Sequence, residues 1–196
     1  MSAIAGVIGS LAVIFSVDYM QGEAQLGRYY AWVLFFVGAM AGLVLTSNML
    51  LLFAFWEITS LCSYSLISFN SDDPKAVAGG LKALIITQIG GIGLLAGALL
   101  LYANTGSYDI RAFLQNPGQL DLRALGIMAY GLLIAAAAKS AQVPFQTWLP
   151  DAMEAPTPVS ALIHAATMVN AGVYILNRLY PAFAAVPGWQ ETVVIV

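Results

Sequence analysis

Charge is scarce in these 196 residues: Asp, Glu, Lys and Arg together make up 9% of the chain, where a soluble globular domain carries about 25%. With 60% hydrophobic residues, that shortage excludes an ordinary water-soluble fold and leaves a membrane chain. The 7 bases and 10 acids are thinly spread, with a formal net charge of -3. No basic face exists for nucleic acid, and no acidic tail for a basic partner. Cysteine and histidine are rarer still. A lone Cys62 and a lone His164 exclude an internal disulfide, an iron-sulfur cluster, a bis-histidine haem and a protein-built zinc site. The chain is expected to carry no cofactor and no redox centre of its own.

Long apolar runs are what the chain has instead. The hydrocarbon core is about 30 Å thick and takes roughly 20 helical residues to cross. Six runs of that kind stand at about Ala3 to Tyr19, Tyr30 to Thr46, Met49 to Phe69, Val77 to Tyr102, Leu122 to Val143 and Val159 to Leu179, cut at charge and proline clusters. A seventh begins at Thr192. The expectation is an all-α integral membrane protein, residues 1–196 forming a single transmembrane domain. The Ser47-Asn48 turn is short enough to make the second and third spans antiparallel neighbours, while Asn104 to Asp121 is a longer polar excursion. The first run has the Ala, Gly and Val of a signal peptide but lacks a basic n-region, and Asp18 and Tyr19 stand where small cleavage residues belong. The apolar stop at Val196 points to a fragment. Arg28, Lys75 and Lys82 on one side balance Arg111, Arg123 and Arg178 on the other, a tie that leaves orientation open.

An ionisable side chain at membrane depth costs about 2.5 to 3.5 kcal/mol on the lenient insertion scale, so it is a functional candidate by default. Glu57 lies near the middle of the third span, and Lys139 follows the apolar stretch Leu125 to Ala138. At about 100° per residue, Glu57, Ser60, Tyr64 and Ser68 share one face of their helix, a hydroxyl-lined stripe that starts at the carboxylate. By the same arithmetic Ser160, His164, Thr167, Asn170 and Tyr174 share an arc on the sixth helix. His164 alone in that arc titrates near neutrality. Between them, Pro144, Pro150, Pro156 and Pro158 each remove a backbone donor, so the fifth span is expected to break at Pro144. Irregular backbone at membrane depth lines a cavity or is buried by protein, and transporters place ion sites there.

Plainer readings stand beside these. Glu57 and Lys139 also fit a structural ion pair or snorkelling side chains in a membrane protein that only packs helices, and His164 fits a satisfied packing histidine. Gly90, Gly93 and Gly97 fit close helix packing. Trp32, Trp148 and Trp189 fall near span ends, as interface anchors do, and Trp56 beside Glu57 does not. Asp72, Asp73, Asp109 and Asp121 fit loop solvation and helix caps.

The run from Lys139 to Leu176, with Lys-Ser-Ala-Gln-Val-Pro-Phe-Gln-Thr-Trp-Leu-Pro-Asp-Ala-Met-Glu-Ala-Pro-Thr-Pro followed by Val-Ser-Ala-Leu-Ile-His-Ala-Ala-Thr-Met-Val-Asn-Ala-Gly-Val-Tyr, resembles the antiporter-like membrane subunits of complex I and Mrp antiporters. Phe55-Trp-Glu-Ile-Thr-Ser-Leu-Cys-Ser-Tyr-Ser-Leu-Ile-Ser-Phe69 resembles their glutamate-bearing helix. Histidine at 164 resembles the branch that joins complex I subunit L (mitochondrial subunit 5) with the A-type Mrp subunits, where the M and N types usually carry lysine. Two positions depart from it. Ile-Ile-Thr-Gln-Ile-Gly-Gly-Ile-Gly in the fourth span has no acid where subunit L commonly does, and Asn170 replaces a lysine frequent in the A-type Mrp subunits.

The resemblance implies an inverted-repeat fold with broken helices, of which this chain holds most of the first repeat. It implies that Glu57 and Lys139 form an ion pair; joined to the helical arcs and the prolines read above, the expectation is a proton relay of Glu57, Lys139 and His164, lined by Ser60, Tyr64, Ser160, Thr167 and Asn170, beside a helix broken around Pro144 and Pro150. It implies a proton-translocating subunit of an NADH:quinone oxidoreductase or related hydrogenase complex, or alternatively an Mrp-type sodium/proton antiporter subunit. The implied partners are other membrane subunits, the lipid bilayer and protons, with sodium as the other candidate ion. The implied location is a bacterial or archaeal cell membrane.

Overall fold

Several helices begin where a short polar side chain accepts from a first-turn amide. The computed structural model describes the backbone of residues 2–196 and the side chains of 3–164 and 167–196. Met1, ahead of the leader-like run, lies outside the described residues. Helix α1 (Ser2–Tyr19) leads into α2 (Leu26–Leu45) and α3 (Met49–Ile67). The 32-residue α4 (Pro74–Thr105) follows, then the short α5 (Ile110–Gln115) and α6 (Leu122–Lys139). Asn48 caps α3 by accepting from the Leu51 amide at 3.0 Å. Asp73, Asp109 and Asp121 cap α4, α5 and α6 in the same way, at 2.8 to 2.9 Å. Those aspartates satisfy amides that a helix start otherwise leaves open. Gly106 ends α4 at φ 70, a left-handed conformation that glycine takes without steric cost.

Among the described residues, five helical segments are long and apolar enough to cross a membrane: Leu26–Leu45, Met49–Ile67, Pro74–Thr105, Leu122–Lys139 and Thr157–Phe183. Ala3–Tyr19 is a shorter apolar helix. Helix α4 outruns the expected Val77 to Tyr102 at both ends, because Asp73 and Pro74 start it early and Gly106 stops it late. At about 1.5 Å per residue it is roughly 48 Å long, more than the hydrocarbon core alone requires.

Beyond α6 the chain becomes irregular. Two short turns, α7 (Trp148–Asp151) and α8 (Thr157–Ser160), flank a 3-10 turn, and a π turn over Ala161–Ala166 then joins α9 (Met168–Leu179). The last helix, α10 (Trp189–Ile195), starts three residues ahead of the expected Thr192, with Gly188 at φ 72 before it. Trp148 and Trp189 do not sit at an interface: both are fully buried. Trp189 packs against Phe183 with ring centroids 5.3 Å apart. Trp32 is half-buried beside Phe35.

Large apolar side chains point outward, among them Val7, Leu11, Ile14, Ile85, Ile92 and Ile127, while Ala135, Ala136, Ala137 and Ala138 of α6 are buried. Helices in lipid gain little by burying leucine, so their contacts rest on small residues that let backbones approach. At Gly93 a Cβ would overlap the Gly131 carbonyl oxygen and lie 2.7 Å from its carbon. Gly90 meets Ala138 in the same seam, whereas Gly97 keeps an ordinary 3.8 Å from Met128. Gly93→Val is therefore expected to destabilise the protein by about 1 to 3 kcal/mol through overpacking. Gly38→Ala, with nothing within 4 Å, should cost nothing; thermal unfolding of the detergent-solubilised full-length chain measures both.

Candidate functional site

The end of α6 is built by its backbone, not by a proline. The helix stops at Lys139, four residues short of the expected Val143, with Ser140 as C-cap and Ala141 in the left-handed region at φ 53. The Gln142 amide donates back to the Ala137 carbonyl at 2.8 Å and the Ala141 amide to Ala138 at 3.4 Å. This is a Schellman closure, which ordinarily places glycine where Ala141 stands. Pro144, in a cis bond after Val143, comes after the helix has already ended. Trp148 Nε1 donates to the Ala138 carbonyl at 2.8 Å, and Ser140 Oγ donates to the Val169 carbonyl at 2.7 Å. The terminus is thus satisfied in part from α7 and tied to α9.

Lys139, the last helical residue, is fully buried. Its Nζ donates to Ser60 Oγ at 2.6 Å and to the Trp56 carbonyl at 2.8 Å, and it stands 4.9 Å from the centroid of the Trp56 ring. Ser60 Oγ in turn donates to the same Trp56 carbonyl at 3.2 Å, and Thr59 Oγ1 donates to it at 2.7 Å. One turn of α3 therefore supplies a carbonyl, a hydroxyl and an aromatic face to one amine, the set that a buried nitrogen needs.

The expected Glu57–Lys139 ion pair is not formed. Among the described residues the nitrogen–oxygen pair within 4.0 Å is Lys82–Asp151, at 2.7 Å. Both Glu57 carboxylate oxygens are buried and make no hydrogen bond. The group is turned to α4, where a Cβ on Gly91 would overlap Oε1 and lie 3.2 Å from the carboxyl carbon. Glu57 shares its helix face with Ser60, which holds Lys139, yet its carboxylate makes no bond to the amine and is seated against α4.

Of the hydroxyl stripe, Ser60 holds Lys139, Tyr64 is half-buried, and Ser68 donates to the Ala76 carbonyl at 3.4 Å. Just beyond Ser68, Phe69, Asn70, Ser71 and Asp72 line a polar cavity of about 400 Å³ that also receives Glu23 and Glu154. The arc on the sixth span is less continuous. A π turn advances less per residue than an α-helix, so the 100° arithmetic fails across Ala161–Ala166. Ser160 Oγ donates to the Ala155 carbonyl at 3.3 Å and Thr167 Oγ1 to Leu162 at 2.5 Å. Tyr174 donates to Val44 at 2.8 Å, and Asn170 is half-buried. None of these three bonds reaches Lys139. His164 lies beside the Ala152 carbonyl, but neither ring nitrogen meets hydrogen-bond geometry. Its ring is 6.2 Å from that of Trp148, which places Trp148 between the end of α6 and His164.

Residues 46–196 match the family described as the NADH:quinone oxidoreductase/Mrp antiporter transmembrane region. The chain belongs to that family. It is 48% identical over 190 residues to the Na(+)/H(+) antiporter A1 subunit of Staphylococcus aureus (strain JH9), a match covering 96% of this chain and 24% of that protein. The chain spans about a quarter of the length of the curated relatives it matches. In structure it is similar to a chain of the Mrp complex of Dietzia sp. DQ12-45-1b, with TM-score 0.90, 39% identity, and coverage of 97% of this chain and 21% of the other. A chain of the membrane-bound sulfane sulfur reductase, an archaeal respiratory membrane complex, matches with TM-score 0.88 at 24% identity over 98% of this chain and 39% of that one, which shows a shared fold.

In this antiporter-like, integral membrane chain, two contributors escaped the sequence reading. Trp148 has the span-end position of an interface anchor, and only the location of the helix stop reveals it as the donor to Ala138. Asp151 pairs with Lys82 of α4, and its carbonyl abuts Gly79, so the irregular segment is pinned to α4; a separation of 69 residues along the chain carries no periodic signal.

The helix stop yields two stability changes of opposite sign. A left-handed alanine costs about 1 to 2 kcal/mol, and the extra unfolded-state entropy of glycine offsets about 0.4 to 1 kcal/mol. Ala141→Gly should therefore stabilise the full-length chain by roughly 0.5 to 1 kcal/mol. Trp148→Phe should destabilise it by about 1 to 2 kcal/mol, by taking the donor from Ala138; shifts in Tm report both.

Proposed function

We propose that this chain is part of the ion-conducting module of a multi-subunit membrane assembly, of the Mrp sodium/proton antiporter type, in which Lys139 holds and releases a proton. The observation that carries the reading is the fully buried Lys139 amine, seated at a helix break on Ser60 and the Trp56 carbonyl, with the unpartnered Glu57 carboxylate on the residue after Trp56. A buried ionisable group held by neutral partners can exist with or without its proton. A second ionisable group on a mobile side chain can bias which form is held. Moving Glu57 toward Lys139 would add Coulomb attraction for the ammonium in a low-dielectric site. Withdrawing it removes that attraction and favours release.

The onward route to His164 passes Trp148, whose indole N–H is already committed to Ala138. Water in the break, flanked by Ser160 and Thr167, would carry the proton past it. The hydroxyls of Ser60, Tyr64 and Ser68 lead the other way, toward the polar cavity at Phe69 to Asp72, and supply an approach to the pair from the membrane surface.

Identity of 48% to a sodium/proton antiporter subunit favours the antiporter assembly over a respiratory oxidoreductase. The respiratory match, at 24% identity, carries only the fold. Partners on this reading are other membrane subunits, protons and sodium, within a bacterial cell membrane.

Sodium-driven proton movement in everted vesicles containing the complete assembly tests the proposal. Lys139→Ala and Glu57→Ala should each lower the rate by more than about tenfold, and His164→Ala by a smaller factor, with the subunit still present in the membrane at normal amount. Wild-type rates in both of the first two variants contradict it.

A further inference from the structure

The fourth helix carries no acid facing Glu57, and what it offers instead is a missing side chain. Gly91 is buried at the crossing of α3 and α4, and any Cβ there would overlap Glu57 Oε1, with the carboxyl carbon at 3.2 Å and Oε2 at 3.8 Å. The carboxylate that fills this space has no hydrogen-bond partner and is shut off from the surface at both oxygens. Lys139, held on the preceding residue's carbonyl, is fully served by Ser60 and Trp56. The two ionisable groups are thus out of bonding contact, the amine held by its acceptors and the carboxylate lodged against Gly91.

We propose that Gly91 is a positioning residue, a notch in α4 that receives the Glu57 carboxylate when it is withdrawn from Lys139. A hydrogen-bonding side chain at position 91 would fix the carboxylate. A side chain of any size would expel it toward the amine. Glycine does neither, so the withdrawn carboxylate fits without a steric clash and no bond keeps it there. The other glycines of α4 serve different contacts: Gly79 meets the Asp151 backbone, Gly80 meets Ser68, and Gly90 and Gly93 meet α6. The proposal rests on the functional reading above, in which Glu57 moves.

Gly91→Ala is the direct test, made in the full-length chain within its assembled complex. Gly97→Ala is the control, because its new methyl would stand 3.8 Å from Met128 in ordinary contact; it reports any effect of stiffening α4 alone. Gly91→Ala should lower sodium-driven proton movement by about tenfold, and Gly97→Ala by less than about twofold. The distinguishing readout is rescue. Glu57→Asp shortens the side chain by one methylene and makes room for the alanine methyl, so in that background Gly91→Ala should cost less than about twofold, a coupling expected only for residues in contact. Infrared spectra of the same complex should show the Glu57 carboxyl band, assigned by its loss in Glu57→Gln, shifted by Gly91→Ala and unmoved by Gly97→Ala.

Equal losses from Gly91→Ala in the wild-type and Glu57→Asp backgrounds, or an unshifted band, overturn the notch. Should Glu57→Gln transport like the wild type, the functional reading fails; the band then decides the notch by itself, a shift supporting it and no shift removing it.

Discussion

A lysine without water around it has to find its partners on the protein, and here α3 provides them. Nζ of Lys139 reaches the Trp56 carbonyl and Ser60 Oγ. That requires α6 to end at this residue, α3 to present one particular turn, and α4, which packs against both, to stay thin where they cross. An amine left in that position without acceptors would be costlier than any single packing defect in the bundle. The cluster of small residues in α4 and α6 follows from the same requirement. Glycines at 90 and 93 bring α4 onto α6, and that approach sets the distance over which Lys139 reaches α3.

The broken segment is better understood as a closed helix end with its own donors than as a helix interrupted by proline. Ala141 and Gln142 complete the stop, Trp148 covers the Ala138 carbonyl, and Ser140 ties the end to α9. The Lys82–Asp151 pair then fastens the segment to α4 from outside. Both of its side chains are substantially exposed, at 40% and 49%, so it fixes geometry more than it adds stability. The π turn through His164 does similar work from the other side, since the extra residue in that turn frees the backbone from the regular register.

Much of this was legible in the amino-acid sequence. Runs of apolar residues and the aspartates that cap α4, α5 and α6 mark the helices, because hydropathy and N-cap chemistry are local. Lys139 and Glu57 were visible as charges at membrane depth, and Ser60 as a member of the Glu57 stripe. What they contact was not visible. Helical arithmetic places residues on faces of one helix but says nothing about which neighbour meets them, so an acid and a base on different spans suggested an ion pair where a hydroxyl and a carbonyl take the amine. The proline at 144 drew the helix break toward itself, while the actual stop uses an alanine in a conformation that usually signals glycine. Trp148 and Trp189 lie near span ends in sequence and in the interior in space, because the segments around them fold back into the bundle. The arc through Ser160, His164 and Thr167 assumed a regular helix that the π turn replaces.

Solid-state NMR of the full-length chain in lipid, with 15N at lysine Nζ and 13C at tryptophan carbonyls and glutamate carboxyls, measures the central contact directly. A dipolar cross-peak between Lys139 Nζ and the Trp56 carbonyl, removed by Lys139→Met and stronger than any to the Glu57 carboxyl, is what the structure predicts. A strong cross-peak to the Glu57 carboxyl with none to Trp56 would contradict it, for it would put the amine on the acid and leave α3 without the role assigned to it.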